Sequence, residues 1–488
     1  MYQNEKAAEY RAFLRGKTAS VIGVGISNTP LIEFLLASGV QVTARDRKSR
    51  EKLAENPKLD LTGLEARGVR FITGDEYLND IREEIVFKSP GVRFDKPEIL
   101  RAVANGALIT GEMEAFLSLC PSKIIAVTGA NGKTTTTTLV AEILKNAGKK
   151  VWLGGNIGTP LLSKIDEIAP EDFTVLELSS FQLHTVNRFE NAGLPFAHIT
   201  FPDVGVITNI SPNHLDWHTD MEEYACSKRA VFTHMKAGGV VVTNRASDEY
   251  CKRFAAEAEA EGRTVRLFSA HDGEAARGAS LDENGNITVD GKPVVNRSQI
   301  LLPGLHNVEN YMAAILATRD FVTPEAVVKT AASFGGVPHR MEFVGEKDGV
   351  KFYNGSIDSS PSRTEAALSC FGKEYDGKIC IILGGYDKHI PFDTLAHPLC
   401  EKRCRCFIAG ATADAIIRAV RGSDVYDGGN AVLTRCENFD DAVKRACLDA
   451  KSGDVVLLSP ACASFDAFDN FEKRGERFKT LVRRFIEA

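Results

Sequence analysis

Lys123-Ile-Ile-Ala-Val-Thr-Gly-Ala-Asn-Gly-Lys-Thr-Thr135 decides how this chain is read. Residues 123–128 are an apolar, β-branched run of strand length, the glycines at 129 and 132 interrupt it, and a helical pattern runs on to Asn146. Strand, glycine turn and helix in this order make a phosphate cradle. Backbone N–H groups turn toward a polyphosphate and the helix start adds its positive dipole. Lys133 reaches the terminal phosphates, and the Thr134 hydroxyl can ligate magnesium. The strict P-loop spacing is not met, because its first glycine would fall at Val127. Gly-Lys-Thr-Thr in this setting still points to a bound phosphate rather than to a merely structural turn.

Outward from this stretch, the same grammar recurs. Upstream, Ala19-Ser-Val-Ile-Gly-Val-Gly25 reads as a strand ending in glycines, followed by a helix over 30–38, a strand over 40–45 and Asp46. Another strand is expected at 85–88, before Ser89-Pro-Gly91, then a helix near 97–105. The dinucleotide fingerprint is incomplete, since Asn28 stands where its third glycine belongs, so a phosphate or nucleoside group fits this helix start better than hydride chemistry. Downstream, strands are expected at 151–153, 174–178, 204–209 and 239–243. A hairpin excursion follows near 279–294, then helices over 306–321 and 324–333. Gly335-Gly-Val-Pro338 breaks the pattern, and beyond it come a hairpin at 341–353, strands at 378–383, 405–408 and 455–459, and a last helix from about 468. In that helix Lys473, Arg474, Lys479 and Arg483 read as a solvated face. The fold class is therefore α/β, three consecutive doubly wound domains over 1–119, 120–335 and 336–488. The first is Rossmann-like, the second a P-loop-type, phosphate-binding domain and the third Rossmann-like.

Composition narrows the function classes. The 488 residues are 44% hydrophobic and 25% charged, an ordinary globular mix. Lys and Arg number 59 against 65 Asp and Glu, a net charge of −6, which predicts no general attraction to nucleic acid. No apolar run approaches the roughly 18 residues of a membrane span, and residues 1–10 are polar without a signal-peptide core, so a cytoplasmic protein is expected. Eleven cysteines without Cys-x-x-Cys spacing predict reduced, mostly buried thiols.

Further residues bear chemistry. Glu177 lies in the apolar run Val175-Leu-Glu-Leu-Ser-Ser-Phe-Gln182, where a carboxylate asks for a cation or a donor. Asn209-Ile-Ser-Pro-Asn-His-Leu-Asp-Trp-His218 sets His214, Asp216 and His218 just past a strand, where α/β sheets bind ligands. Lys388 follows Gly384-Gly385 on a loop, Ser459-Pro-Ala-Cys-Ala-Ser464 leaves a strand, and Arg340 sits in Pro338-His-Arg340 at the second boundary.

Taken together and in this order, these motifs resemble the Mur ligases of peptidoglycan synthesis. The resemblance rests on Thr128-Gly-Ala-Asn-Gly-Lys-Thr-Thr135, Asn213-His-Leu-Asp-Trp-His218, His306-Asn307 with Asn310, Pro338-His-Arg340, and Leu458-Ser-Pro-Ala-Cys-Ala-Ser-Phe-Asp-Ala-Phe468 with Asn470-Phe-Glu-Lys-Arg-Gly475. The closing signature looks most like the member that adds D-glutamate to UDP-N-acetylmuramoyl-L-alanine. That implies an ATP-dependent ligase working through an acyl phosphate, with two Mg2+ ions and a carbamate on Lys228. Gly129, Asn131, Gly132, Lys133, Thr134, Thr135, Asn307, Asn310 and Arg340 would bind ATP. Thr134, Glu177, His214 and Lys228 would serve the metal, and Lys133, His214 and Lys228 the catalysis. Gly25, Ile26, Ser27, Asp46, Ser89 and Asn156 would face the UDP substrate, and Ser359, Lys388, Ser464 and Phe471 would hold D-glutamate. A monomer with small-molecule substrates, and closure about 335–338, are implied too. One stretch departs: Asn354-Gly-Ser-Ile-Asp-Ser-Ser360 has Gly355 where the family has an aspartate expected to contact ATP, and Ile357 where many relatives have lysine. Three other readings stay open here: a folate-type ligase of the same superfamily, a Mur ligase with another acceptor amino acid, and a nucleotide-binding relative without turnover.

Overall fold

The computed structural model describes residues 2–25, 28–56, 59–188, 193–195, 201–271 and 278–488. They form two compact units, Met1–Val294 with Asn310–Val327, and Val295–Glu309 with Val328–Ala488.

The first unit holds two sheets. Strands β1 (Thr18–Ile22), β2 (Gln41–Asp46), β3 (Arg70–Thr73), β4 (Ile85–Lys88) and β5 (Leu108–Thr110) pair in parallel in the order β3-β2-β1-β4-β5. A larger sheet contains β6 (Lys123–Thr128), β7 (Val151–Gly155), β8 (Phe173–Glu177), β9 (Val204–Ile207), β10 (Val240–Asn244), β11 (Thr264–Ser269), β12 (Ala279–Leu281), β13 (Asn286–Val289) and β14 (Lys292–Asn296). Its order is β14-β13-β12-β11-β10-β9-β6-β8-β7. Every residue of β4, β8 and β9 is buried, as is all of β6 after Lys123, because helices cover both faces of a parallel sheet. Apolar runs rather than alternation are the result. The chain leaves β6 toward β7 and β9 toward β10, in opposite directions. A crevice therefore opens at the carboxyl ends of these neighbours, where doubly wound sheets hold ligands.

In the second unit β15 (Glu342–Lys347) pairs antiparallel with β16 (Val350–Asn354). The rest, β17 (Ile379–Leu383), β18 (Arg405–Ile408), β19 (Val432–Arg435) and β20 (Val455–Leu458), complete a sheet ordered β15-β16-β20-β17-β18-β19. The α/β reading from sequence holds, and the hairpin expected near 279–294 is there as β12 to β14. The eleven cysteines are all free, eight of them buried, as the sequence predicts.

One expectation is overturned. The last helix, Phe471–Glu487, does not present all its basic residues to water, since Arg474 is 2% exposed and Lys479 8%. The Arg474 guanidinium donates from Nε to Ser356 Oγ (3.0 Å), from Nη1 to the Ala463 carbonyl (3.0 Å), and from Nη2 to the Ser356 and Cys462 carbonyls (2.8 and 3.0 Å). Lys479 donates to Glu342 Oε1 at 3.0 Å. Helical periodicity places a side chain on a face; only the loops packed there decide whether its charge meets water or acceptors. Arg474→Ala leaves buried carbonyls without a donor, so a loss on the order of 3 kcal/mol in urea unfolding is expected. A midpoint equal to wild type would rule out that role for Arg474.

Candidate active site

The turn after β6 is built from glycine. Gly129 has φ +141° and Gly132 φ +78°, and a Cβ on Gly129 would overlap Thr208 Oγ1, while one on Gly132 would overlap Asn310 Oδ1. Thr208 and Asn209, just past β9, hold the turn from the other side. Asn209 Oδ1 accepts from the Asn131 N–H (3.0 Å), its Nδ2 donates to the Asn131 carbonyl (3.1 Å), and the Thr208 hydroxyl donates to that carbonyl at 2.6 Å. Asn310 supports the turn from beneath, accepting from Thr136 Oγ1 at 3.1 Å. Lys133, first residue of the helix Lys133–Asn146, folds its ammonium back over the turn and donates to the Gly129 and Ala130 carbonyls at 3.1 and 2.9 Å. Thr134 and Thr135 follow in the first turn of that helix, where its N–H groups and dipole favour an anion.

Lys228 lies behind the turn on the helix Met221–Thr233. The residue is 2% exposed, and its amine donates to the Gly129 carbonyl at 2.8 Å and sits 4.8 Å from the centre of the Tyr224 ring. Burial, reinforced by the nearby Lys133 charge, holds its pKa well below the usual lysine range, with Glu177 pulling the other way. Glu177 closes β8. Its Oε1 accepts from Asn156 Nδ2 at 2.9 Å, while Oε2, equally buried, has no hydrogen-bond partner. An orphaned carboxylate oxygen beside a phosphate turn fits a hard cation that draws its other ligands from a hydroxyl, phosphate and water. Among the described residues, no group of three or more His, Cys, Asp or Glu side chains is arranged to hold a metal by itself. His214 is exposed, adopts φ +55°, and rests its ring 4.8 Å from Phe181. Desolvation and then the Lys228 charge lower its pKa, which keeps the imidazole neutral and able to ligate. His218 is different. It is buried, its Nε2 lies 3.0 Å from Ser180 Oγ, and burial pushes it down to about 4.

The carboxyl ends of β1, β2 and β4 gather Gly25, Asp46 and Ser89. Asp46 Oδ2 accepts from the Val24 N–H at 2.7 Å, and Asn28 donates to the Gly23 carbonyl at 2.8 Å, a clamp that a glycine there could not supply. A Cβ on Gly23 would lie 3.1 Å from Ser89 Cβ, so the two turns touch. Ile26 and Ser27 lie outside the described residues. Asn156 follows β7 of the larger sheet and binds Glu177.

In the second unit Lys388 Nζ reaches Ser359 Oγ at 3.4 Å, Ser464 is buried with its carbonyl accepting from Phe468 N–H at 2.8 Å, and the Phe471 carbonyl accepts from Ser356 Oγ at 2.8 Å. Asn307 donates to the Pro303 carbonyl at 2.7 Å. In the 338–340 turn His339 is the buried member, with Nδ1 3.1 Å from Asn354 Nδ2, and Arg340 is exposed.

The Mur ligase middle domain matches residues 127–318, the Mur ligase glutamate ligase domain matches 339–462, and the MurD-like N-terminal domain of Mur ligases matches 17–111. The UDP-N-acetylmuramoylalanine–D-glutamate ligase of Clostridium perfringens is 44% identical over 476 residues, 97% of this chain and 98% of that protein. The chain is a Mur ligase. The enzyme of the same name from Ruminiclostridium cellulolyticum is 44% identical over 489 residues, covering 98% and 99%. Among solved structures, a UDP-N-acetylmuramoyl-L-alanyl-D-glutamate–2,6-diaminopimelate ligase aligns over 97% of this chain and 92% of its own, with TM-score 0.55 at 17% identity. The UDP-N-acetylmuramate-alanine ligase of Thermotoga maritima aligns over 96% and 99%, with TM-score 0.54 at 18% identity. These two show the shared fold.

The departure at 354–360 in this Mur ligase has a packing reason. A Cβ on Gly355 would lie 2.6 Å from both Asp358 Oδ2 and the Leu458 carbonyl, so the Asp358 carboxylate occupies the space a side chain at 355 would need. Asp358 is buried and accepts from Ser459 Oγ at 2.9 Å. Burial raises its pKa from 3.8 to about 7, outweighing Ser459 and the Arg363, Arg340 and Arg474 charges. A raised pKa means that the folded state binds the proton more tightly. The stability this contributes is complete below the ordinary value of 3.8 and is lost as pH rises through about 7. Asp358→Asn should therefore gain in melting temperature over wild type as pH goes from about 5 to 8. A gap that does not change with pH would refute the buried-acid assignment.

Proposed function

We propose that this Mur ligase joins the amine of D-glutamate to the L-alanyl carboxylate of UDP-N-acetylmuramoyl-L-alanine, with ATP converted to ADP and phosphate. The observation that carries this reading is the 44% identity, over nearly the whole of both chains, with ligases named for that reaction. The glycine turn, the buried amine of Lys228 with its lowered pKa and the unpartnered Glu177 oxygen support it from the structure.

A carboxylate in water is a poor electrophile. Attack of an alanyl carboxylate oxygen on the γ-phosphorus of ATP breaks the bond to ADP and gives an acyl phosphate. The D-glutamate amine then attacks the acyl carbon, and phosphate leaves with that oxygen as the amine proton is lost. Lys133 and the N–H groups of the 129–132 turn would hold the β- and γ-phosphates and oppose the charge that builds there. Magnesium, when bound, adds positive charge to those phosphates. Thr134, Glu177, His214 and Lys228 would hold it, in two ions. In the uncharged form that burial favours, Lys228 would be a nucleophile for carbon dioxide; loss of its proton would leave a carbamate whose anionic oxygen suits a hard cation. Gly129, Asn131, Gly132, Thr135, Asn307, Asn310 and Arg340 would complete the ATP contacts, and Gly25, Asp46, Ser89 and Asn156 those to the UDP substrate. Ser359, Lys388, Ser464 and Phe471 would orient D-glutamate, a positioning effect. Residues 1–119, 120–335 and 336–488 would divide these tasks. The reading includes a cytoplasmic monomer, since ATP is a cytoplasmic reagent and the residues given these roles all belong to one chain.

Phosphate release with UDP-N-acetylmuramoyl-L-alanine should depend on D-glutamate and fall to background with L-glutamate. Equal release with another amino acid would move the acceptor assignment. Lys133→Ala should lose turnover by roughly a thousandfold or more while keeping its melting temperature. Removing dissolved carbon dioxide should slow the wild type reversibly, with recovery on adding bicarbonate. Lys228→Ala should show no such response.

A further inference from the structure

Between the turn that carries Ser89 and the loop that carries His214 lies a set of contacts that no step above uses. Arg93, two residues beyond Gly91, donates from Nη1 to the Trp217 carbonyl at 2.8 Å and to Glu223 Oε2 at 3.1 Å, and from Nη2 to Glu223 Oε1 at 3.1 Å. Its guanidinium also lies 4.9 Å from the Trp217 ring and donates to Asp95 at 2.8 Å. The Trp217 indole N–H returns the connection, donating to the Gly91 carbonyl at 2.9 Å. From Trp217 the chain of contacts reaches His214 directly: the backbone N–H groups of Trp217 and His218 both donate to the His214 carbonyl, at 3.1 and 2.9 Å. His214 keeps φ +55°, which a residue with a Cβ adopts only when its surroundings hold it there.

Glu223 is the second anchor. It accepts from the Thr219 N–H at 2.7 Å and lies 3.3 Å from His184 Nε2, with Arg188 and His218 each at 3.8 Å. It sits in the first turn of the helix that carries Lys228. The Arg93 and Glu223 side chains are only 19% and 16% exposed, so water screens this pair less than an ordinary surface ion pair. A plain fastening between two sheets would need only the ion pair. Here one guanidinium also grips the backbone of the His214 loop and the face of its tryptophan.

We propose that Arg93, Glu223 and Trp217 are positioning residues that transmit occupancy of the 89–93 turn by the UDP substrate to the placement of His214 and of the Lys228 helix. The inference rests on the ligase reading above and adds to it an order of events: the nucleotide substrate sets the phosphoryl-transfer groups before turnover.

The chain has two tryptophans, so Trp152→Phe leaves Trp217 as sole reporter. In that background UDP-N-acetylmuramoyl-L-alanine should shift Trp217 emission. Adding Arg93→Ala or Glu223→Gln should abolish the shift, with substrate binding still seen by calorimetry. In the full chain Glu223→Gln should lower kcat by roughly tenfold or more with the KM for D-glutamate changed less than about twofold. Arg93→Lys, which keeps charge but not the fork, should recover part of the Arg93→Ala loss. The Arg93→Ala, Glu223→Gln double variant should be no worse than the poorer single one. An emission shift that survives both substitutions, a kcat within about twofold of wild type, or additive losses would each overturn the proposal. If Arg93→Ala does not fold, Arg93→Lys and Glu223→Gln decide. Wild-type protein that releases no phosphate with D-glutamate counts against the ligase reading instead. Normal wild-type turnover with indifferent variants counts against the positioning role alone.

Discussion

An amine and a carboxylate, Lys228 and Glu177, are buried beside one glycine turn, and much of the first unit is arranged around that cost. Ionised groups out of water demand partners. Lys228 answers by binding the Gly129 carbonyl and by giving up its proton more readily, and Glu177 by holding Asn156 with one oxygen and leaving the other unpartnered. The turn that separates them must approach Thr208 and Asn310 more closely than a Cβ permits, which is why glycine stands at 129 and 132.

Around this point the supports are shared. Thr208 and Asn209 come from the end of β9, Asn310 from a helix far along the chain, and Glu177 from β8. The same sharing appears at the other turn, where Arg93 and Trp217 bind each other's segments. A side chain that contacts phosphate or metal can be placed only as well as the residues behind it, and here those residues are mostly neutral amides, hydroxyls and a carboxylate.

The strands β4, β6, β8 and β9 were readable because a sheet covered on both faces shows as a nearly unbroken apolar run. Strands β3 and β19 left no such trace; each is a short, half-exposed edge whose formation depends on a neighbour already in place. Lys133 and Glu177 stood out because a cation after a glycine turn and a carboxylate inside an apolar strand are locally expensive. Arg93 and Glu223 did not, since a polar residue in a polar segment carries no such mark until its partner is known, and Thr208 is an ordinary β-branched strand residue until its hydroxyl is seen on the turn.

By itself the amino-acid sequence determined the α/β class, the turn after β6, the need of Glu177 for a cation or a donor and the family the motifs point to, all of which are properties of short segments. Tertiary structure alone decided that Arg474 turns inward to four acceptors, that Asp358 fills the place beside Gly355, and that His214 is held through Trp217 from the turn of another sheet. The physical reason is shared: whether a charge is solvated, buried or paired depends on atoms that other segments bring to it, such as Ser356 beside Arg474, Leu458 beside Gly355 and Gly91 beside Trp217, and no local period records them.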